Sequence, residues 1–158
     1  ATNGYWQHPE WTAALLKNQW IHTGDMLSKD QDGNLYFVDR TKDAIRRRGE
    51  NISSMEVENE INAHGDVIEC AVVPVASTDT EQEVLAVIVA QPEAQINSES
   101  LVRFLEPRLP YFMIPRYVRF VDALPKTPTG KIQKYLVRDL GLLEGTWDRE
   151  VAGVQLQR

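Results

Sequence analysis

The chain has 158 residues and a formal net charge of −6 at pH 7, which fits one domain, or one domain with part of another, and leaves enough chain to bury a core. Hydrophobic residues make up 42% of the sequence and charged residues 25%, a composition that argues against intrinsic disorder. The acidic balance also argues against general nucleic-acid binding, because counterion release requires a broad cationic surface.

Cysteine content and hydropathy indicate the cellular compartment in which the protein is expected. Cys70 is the only cysteine, so an intrachain disulfide is impossible and a reducing, cytoplasmic setting is expected. It lies in the apolar run IECAVVPV, which predicts a buried, inert thiol rather than a nucleophile. No apolar run approaches the roughly 18 residues of a membrane span. The start ATNGYWQHPEW is neither basic nor apolar enough for a signal peptide, so we expect none in this segment. Because this start also lacks Met, we expect either a piece of a longer protein or a processed or tagged N-terminus.

The first forty residues predict a helix followed by a β-hairpin. The segment HPEWTAALLKN has helical spacing, and the apolar run at residues 35–38 follows the turn signal DQDGN. A tight bend at residues 23–25, Thr-Gly-Asp, precedes the first strand of the hairpin. The Asp25 carboxylate either stabilises this bend as an Asx-turn or accepts hydrogen bonds from vicinal hydroxyls, such as those of a ribose.

A basic stretch, DRTKDAIRRRGENIS at residues 39–53, stands at the centre of the chain. Five of the ten positions from Arg40 to Gly49 are Arg or Lys, in a chain that is acidic as a whole. The stretch predicts a strand end, a charged turn, a short strand and a bend at Gly49, Glu50 and Asn51. Its cations indicate a phosphate ligand or nearby anions, with a solvated basic face as the alternative.

Helix and strand patterns alternate beyond residue 53 and predict an α+β fold, with a small three-stranded sheet covered by helices. Ser53 or Ser54 can cap the first helix. The acidic connection TDTEQE between the first two strands is interpreted as a solvated loop. The predicted elements are strands at residues 67–77 and 84–91, a helix from Ser98, a third strand with Val118 and Phe120, a Pro/Gly loop and a short helix with Leu136 and Leu140; the last residues show no clear periodicity.

Three motifs together point to a known superfamily: Thr-Gly-Asp at residues 23–25, the basic stretch at 39–53 and LPKTPTGKIQK at 124–134. Their order and spacing resemble the last motifs of the adenylate-forming enzymes, which include acyl-CoA synthetases, peptide-synthetase adenylation domains and luciferases. The family's Ser/Thr/Gly-rich phosphate loop does not occur in this sequence. The resemblance therefore implies three parts: the C-terminal edge of a larger N-terminal domain with a hairpin remnant (1–41), a mobile C-terminal domain (42–140) and a tail (141–158).

The resemblance implies a role in adenylation for three residues. Asp25 matches the carboxylate that holds the ribose hydroxyls of ATP, and Arg40 matches a cation near the nucleotide. Lys131 matches the lysine that reaches the carboxylate and the α-phosphate, where a compact ammonium stabilises developing negative charge. Without the two upstream motifs, Lys131 would be interpreted as an ordinary exposed loop lysine.

The resemblance also implies a hinge and a CoA path. Lys42 falls at the hinge about which the small domain rotates between two half-reactions. Gly49, with Glu50 and Asn51, matches the loop that lines the pantetheine channel, where a glycine lets a thin ligand pass close to the backbone. Arg116 and the arginines at 46–48 are candidate contacts of the CoA phosphates, with a solvated basic face as the alternative for each.

The implied function is that of the C-terminal part of an ATP-dependent acid-CoA ligase, which activates a carboxylic acid as acyl-AMP and transfers it to CoA. The implied cofactors are CoA and ATP with Mg, bound mainly by the N-terminal domain; no metal site is predicted within this chain, and the chain alone is expected to be inactive. Two alternatives remain open: a peptide-synthetase adenylation domain that loads a carrier protein, and a non-catalytic binding module. The wording IRRRGENIS is similar to carnitine or crotonobetaine CoA ligases.

Overall fold

A computed structural model describes residues 2–18, 20–77 and 81–156 and divides the chain into two compact units, Ala1–Lys42 and Asp43–Arg158. The first unit contains the predicted helix and hairpin. Its elements are α1 (Pro9–Leu15), β1 (Leu16–Lys17), β2 (Trp20–Ile21), β3 (Asp25–Lys29) and β4 (Leu35–Arg40), with β1 antiparallel to β2 and β3 antiparallel to β4.

The β3–β4 hairpin forms for local reasons. Asp30 accepts hydrogen bonds from the Asn34 backbone and side chain at 2.8 and 2.9 Å, and Gly33 takes a φ of +91° that suits glycine. Helix α1 begins at Pro9, which suits a first helical position, but none of its residues is buried. Aromatic side chains of this unit are exposed, with Trp6 at 86% and Trp20 at 75%.

The second unit confirms the predicted α+β class. Its elements are β5 (Ile45–Arg47), β6 (Glu50–Ile52), α2 (Ser54–Asn62), β7 (Val67–Ala76), β8 (Gln82–Ala90), α3 (Ser98–Leu105), β9 (Tyr117–Phe120), α4 (Lys134–Leu140) and β10 (Trp147–Asp148). Strands β5 and β6 form a separate hairpin, and the main sheet has the order β10-β9-β8-β7. Only β8 and β9 run parallel in it.

Helices α2 and α3 begin where the sequence supplies capping side chains. Ser53 accepts a hydrogen bond from the Glu56 backbone and caps α2. Helix α3 begins at Ser98, as predicted, and Asn97 and Ser100 form a reciprocal capping box at this start. None of the four helices in the described ranges spans a bilayer, since the longest, α2, has nine residues.

The core lies on both faces of the β7–β8 pair, which explains the continuous apolar runs in the sequence. One face packs with α2 and α3 and includes Val72, Ile61 and Leu101; the opposite face includes Val73, Leu85 and Val137 of α4. Both strands are therefore desolvated on two sides, and this pair holds the second unit together.

Two sequence expectations for the second unit were wrong. The sheet has four strands rather than three, because β10 in the aperiodic tail pairs with β9, and Val154 beyond it is 8% exposed. A two-residue strand has no periodicity to detect. In the acidic connection, residues 78–80 lie outside the described ranges, but Gln82 and Glu83 belong to β8 and Glu83 is fully buried.

The buried, inert character expected for Cys70 agrees with its surroundings. The side chain is 3% exposed, and burial raises the pKa of the thiol to about 12, with Glu58 adding to the shift. The thiolate, which is the reactive form, is therefore scarce at neutral pH.

We expect Cys70 in the native protein to resist a water-soluble maleimide at pH 8 and to react in guanidinium, because unfolding returns its pKa to the ordinary range. Mass spectrometry of labelled protein measures this. Native labelling at the rate of a small-molecule thiol would contradict the buried environment.

Candidate functional site

Asp25 and Arg40 lie side by side in the first unit. They are cross-strand partners at the open end of the β3–β4 hairpin, and the Arg40 Nε lies 3.5 Å from the Asp25 Oδ1. The Thr23 hydroxyl, rather than the Asp25 carboxylate, accepts the hydrogen bond that closes the bend, at 3.2 Å from the Asp25 backbone nitrogen. The Asp25 carboxylate thus keeps acceptor capacity beside a cation, on a half-buried side chain.

Lys131 belongs to a tight, ordered turn rather than the irregular loop expected. The Gly130 backbone donates to the Thr127 carbonyl at 2.9 Å, and the Thr127 backbone donates to the Lys131 carbonyl at 2.8 Å. The Lys131 backbone in turn donates to the Thr127 hydroxyl at 3.1 Å. Gly130 has a φ of +82°, which only glycine adopts readily.

The Lys131 side chain is exposed, and within the described residues its ammonium has no hydrogen-bond or ion-pair partner. Two neighbouring lysines behave differently. The Lys126 Nζ lies 2.6 Å from Glu69 of β7, and the Lys134 Nζ lies 2.7 Å from Glu58 of α2. The two flanking lysines therefore anchor the turn, and the middle one points a charge into solvent. Sequence reasoning missed these anchors, which join residues far apart in the chain.

Gly49 occupies the turn of the β5–β6 hairpin, in which Arg47 pairs with Glu50. Arg48 and Gly49 have φ values of +50° and +83°, the pattern of a two-residue hairpin turn in which glycine is preferred. A Cβ built on Gly49 meets no atom within 4 Å, so its surface is open. Glu50 and the exposed Asn51 continue as a strand rather than the expected bend.

For Arg47, the alternative interpretation as part of a solvated basic face is wrong. Its side chain is 4% exposed, and its Nε lies 2.7 Å from the Oε2 of the buried Glu83. Burial lowers the pKa of Arg47, and the Glu83 carboxylate partly offsets that effect. The signal was present in the strand pattern: Ile45 is buried, and a side chain two residues later in a strand lies on the same face. Arg46 and Arg48 are exposed.

Arg116 is engaged by two carboxylates. Its Nε and Nη2 donate to Asp148 at 3.2 and 3.1 Å, and its Nη1 lies 3.0 Å from Glu150. The Asp148 hydrogen bond is the main cause that raises the pKa of Arg116, and burial opposes it. Burial is the largest single influence on Asp148 and raises its pKa, but the hydrogen bond and charge of Arg116 and the backbone hydrogen bonds from Glu150 and Val151 together outweigh it, so the net shift is downward. A phosphate approaching Arg116 would have to compete with these two partners.

The predicted site residues thus form separate groups. Asp25 and Arg40 share one hairpin end in the first unit, and Lys42 is the last residue of that unit. In the second unit, the Gly49 turn and the Lys131 turn are attached to different parts of the β7–β8 pair. Lys126, beside the Lys131 turn, pairs with Glu69, whereas the Arg46 backbone, beside Gly49, bonds to Gln82.

Residues 56–131 match the model of the family described as AMP-binding enzyme C-terminal domain. These residues, which lie in the second unit, belong to this family. The resemblance to adenylate-forming enzymes inferred from the motifs is thereby confirmed, whereas the likeness to carnitine or crotonobetaine CoA ligases stays a prediction.

Among curated relatives, a feruloyl-CoA synthase from Amycolatopsis sp is 42% identical to this chain over 135 residues. The alignment covers 85% of this chain and 28% of the relative. This chain is 40% identical over 135 residues to the fatty acid–[acyl-carrier-protein] ligase ScoC from Streptomyces coeruleorubidus, covering 85% and 26%. Among solved structures, ATP-bound MatB from Rhodopseudomonas palustris superposes with a TM-score of 0.79 at 34% identity, covering 87% of this chain and 28% of that one. The chain therefore spans little more than a quarter of the length of these relatives.

Proposed function

We propose that this chain is the C-terminal part of an ATP-dependent acid-CoA ligase that forms an acyl-AMP and then a CoA thioester. The observation that carries the proposal is the Lys131 turn, in which an ordered backbone presents an exposed ammonium between two anchored lysines. Membership of the AMP-binding C-terminal family supports assigning this ammonium to nucleotide chemistry. The proposal that the substrates are a carboxylic acid and CoA rests on the relative named feruloyl-CoA synthase.

In the first half-reaction a carboxylate oxygen attacks the α-phosphorus of ATP, a P–O bond forms, and pyrophosphate leaves. Two anions approach and negative charge grows on the phosphoryl oxygens. We assign Lys131 to the stabilisation of that charge, because a positioned ammonium acts strongly where water is excluded. Asp25 is assigned to the ribose hydroxyls, for which its half-buried carboxylate is an acceptor, and Arg40 to the adjacent nucleotide.

In the second half-reaction the CoA thiol attacks the acyl carbon, and AMP leaves with the C–O bond electrons. We assign the Gly49 turn to the passage of the pantetheine arm. The open surface at Gly49 supports this, as do the exposed Glu50 and Asn51 beside it. Arg116 is assigned to a CoA phosphate, in exchange for one of its present carboxylate partners.

The Lys131 turn and the Gly49 turn are attached to distant points of the second unit, which supports a mechanism in which each turn acts in a different half-reaction. Glu69, which holds the Lys131 turn, and Ala76, which pairs with Gln82 beside the Gly49 turn, are seven residues apart on β7. That spacing corresponds to about 23 Å along a strand. One reaction centre cannot meet both turns at once, so the unit must rotate, and we propose Lys42 as the hinge.

The proposed ligands are a carboxylic acid, ATP with Mg and CoA. Across the described ranges, no group of three or more His, Cys, Asp or Glu side chains could hold a metal ion. We therefore assign the Mg and most of the ATP contacts to the proposed N-terminal domain of the parent protein. A cytoplasmic location is proposed from the single buried thiol.

A carrier-protein acceptor is the second candidate, because the ScoC relative is named as an acyl-carrier-protein ligase. The same turns would serve either acceptor, since a carrier protein also presents a pantetheine thiol. A non-catalytic module is disfavoured, because such a protein has no physical need for an exposed lysine on an ordered turn.

The test uses the full-length parent with a panel of aromatic and aliphatic carboxylic acids. We expect acid-dependent pyrophosphate release with at least one acid, and thioester formation only when CoA is added. Thioester formed on a holo-carrier protein but not on CoA would favour the second candidate. Pyrophosphate release with none of the acids would overturn the ligase assignment.

A further inference from the structure

The basic turn that carries Gly49 is strained and needs support from elsewhere in the fold. Arg48 has a φ of +50°, a region that side chains other than glycine, asparagine and aspartate rarely adopt. The β5–β6 hairpin has only three residue pairs and lies outside the main sheet. A two-stranded hairpin of this length is not stable by itself in water.

Three consecutive residues supply that support: Glu81, directly before β8, and Gln82 and Glu83, the first two residues of that strand. The Arg46 backbone donates to the Gln82 Oε1 at 2.8 Å, and the Arg48 backbone donates to the Glu81 Oε2 at 3.0 Å. Between them, the Arg47 guanidinium pairs with the buried Glu83 carboxylate at 2.7 Å. We call residues 81–83 the acidic clamp, because they hold the residues at 46–48 one by one.

The Arg47 side chain extends the clamp to a third segment. Its Nη1 donates to the carbonyl oxygens of Phe112 and Ile114 at 2.8 and 3.3 Å. Arg47 therefore ties the strand that enters the turn both to β8 and to the chain that leads into β9. Because both ends of this guanidinium are held, the backbone of the next two residues has little freedom.

Stability alone does not explain a buried ion pair in this position. Desolvation of both charges opposes their attraction, and well-packed apolar side chains of similar volume are often as stabilising. A buried pair with additional carbonyl bonds does specify one geometry, because any other arrangement leaves a charge buried without its partner. The arrangement therefore favours a role in positioning rather than in stability.

We propose that the acidic clamp and Arg47 position the Gly49 turn for the thioester-forming half-reaction, as residues that act through the turn and do not touch the substrate. The inference rests on the proposed function, since it assigns the turn to the thiol-bearing acceptor. It predicts that substitutions that weaken the clamp slow thioester formation but not acyl-AMP formation. The reason is that the Lys131 turn has its own anchors on Glu69 and Glu58.

The structural arm of the test uses this chain. Glu81→Ala removes an exposed acceptor and is expected to leave the fold intact, because surface changes rarely unfold a domain. Amide hydrogen exchange at Arg48 should accelerate about 5-fold with loss of that hydrogen bond, whereas exchange at Gly130, in the other turn, should not change. Unchanged exchange at Arg48 would show that the clamp does not hold the turn.

The functional arm uses the full-length parent with Glu81→Ala/Gln82→Ala and, separately, Arg47→Met/Glu83→Leu, which replaces the buried pair with apolar side chains. We expect thioester formation from preformed acyl-AMP to fall about 10-fold or more with a raised KM for CoA, because small misplacements of a positioned group are costly. Pyrophosphate release should stay within about 2-fold. Glu99→Ala, a change to an exposed carboxylate on α3, is the matched control and should alter neither rate.

Glu69→Gln provides the reciprocal variant, because it loosens the Lys131 turn. It should slow pyrophosphate release and spare thioester formation from preformed acyl-AMP. Equal losses in both half-reactions for the clamp variants would overturn the inference and indicate a general loss of stability. If Gly49→Leu leaves thioester formation intact, the assignment of the Gly49 turn to this step fails. If Gly49→Leu abolishes thioester formation but the clamp variants do not alter it, only the clamp proposal fails.

Discussion

Replacing Lys131 with alanine in the full-length parent is expected to lower the rate of acyl-AMP formation by about 100- to 1,000-fold, which corresponds to about 2.7–4 kcal/mol of transition-state stabilisation. The reason is the exposed ammonium on its ordered turn, which we propose supplies positive charge to the α-phosphate where negative charge develops. Pyrophosphate release under single-turnover conditions measures this step. Conversion of preformed acyl-AMP to thioester should change little, because the proposed second state uses the Gly49 turn.

Two controls separate chemistry from folding for Lys131. Lys29→Ala removes another exposed lysine, at the end of β3, and should leave pyrophosphate release unchanged. Lys131→Arg keeps the charge but replaces a compact ammonium with a planar guanidinium, so we expect only partial rescue. Since Lys131 is exposed, the alanine change should alter the free energy of unfolding by less than about 0.5 kcal/mol. An adenylation rate equal to that of wild type would remove Lys131 from the reaction.

Replacing Gly49 with leucine is expected to lower thioester formation by about 100-fold and to leave acyl-AMP formation nearly intact. The leucine side chain would project into the open space where we place the pantetheine arm, and a misplacement of about 1 Å can cost a factor of about 100. Thioester formation from preformed acyl-AMP, at varied CoA concentration, gives the KM and kcat separately.

Backbone strain at Gly49 requires its own control. At a φ of +83° any side chain other than glycine is unfavourable, by roughly 1–2 kcal/mol. Gly49→Ala introduces this strain with a single methyl group, whereas Gly49→Leu adds bulk to the same strain. We expect the alanine variant to retain most of the thioester activity. Equal losses for the two variants would assign the effect to the backbone rather than to a blocked passage.

Local signals in the sequence predicted much of the fold. The turn DQDGN, the cap at Ser53 and the two β-branched runs act over a few residues, so their energetic preferences are visible without tertiary context. The order of the three motifs likewise led to the AMP-binding C-terminal family. Pairing β10 with β9 could not be predicted, because two residues carry no period and the strand exists only through its neighbour.

The amino-acid sequence by itself determined the α+β class, the family and the candidate residues Asp25, Lys131 and Gly49. Tertiary structure alone decided which cations are available to a ligand. Arg47 is buried against Glu83, Arg116 is held by Asp148, and Lys134 is held by Glu58, through contacts between residues 32 to 76 positions apart. The strength of an ion pair depends on the distance between the charges and on their burial, neither of which the sequence shows. Neighbouring arginines or lysines have the same side chain, but in a strand one faces the core and the next faces solvent.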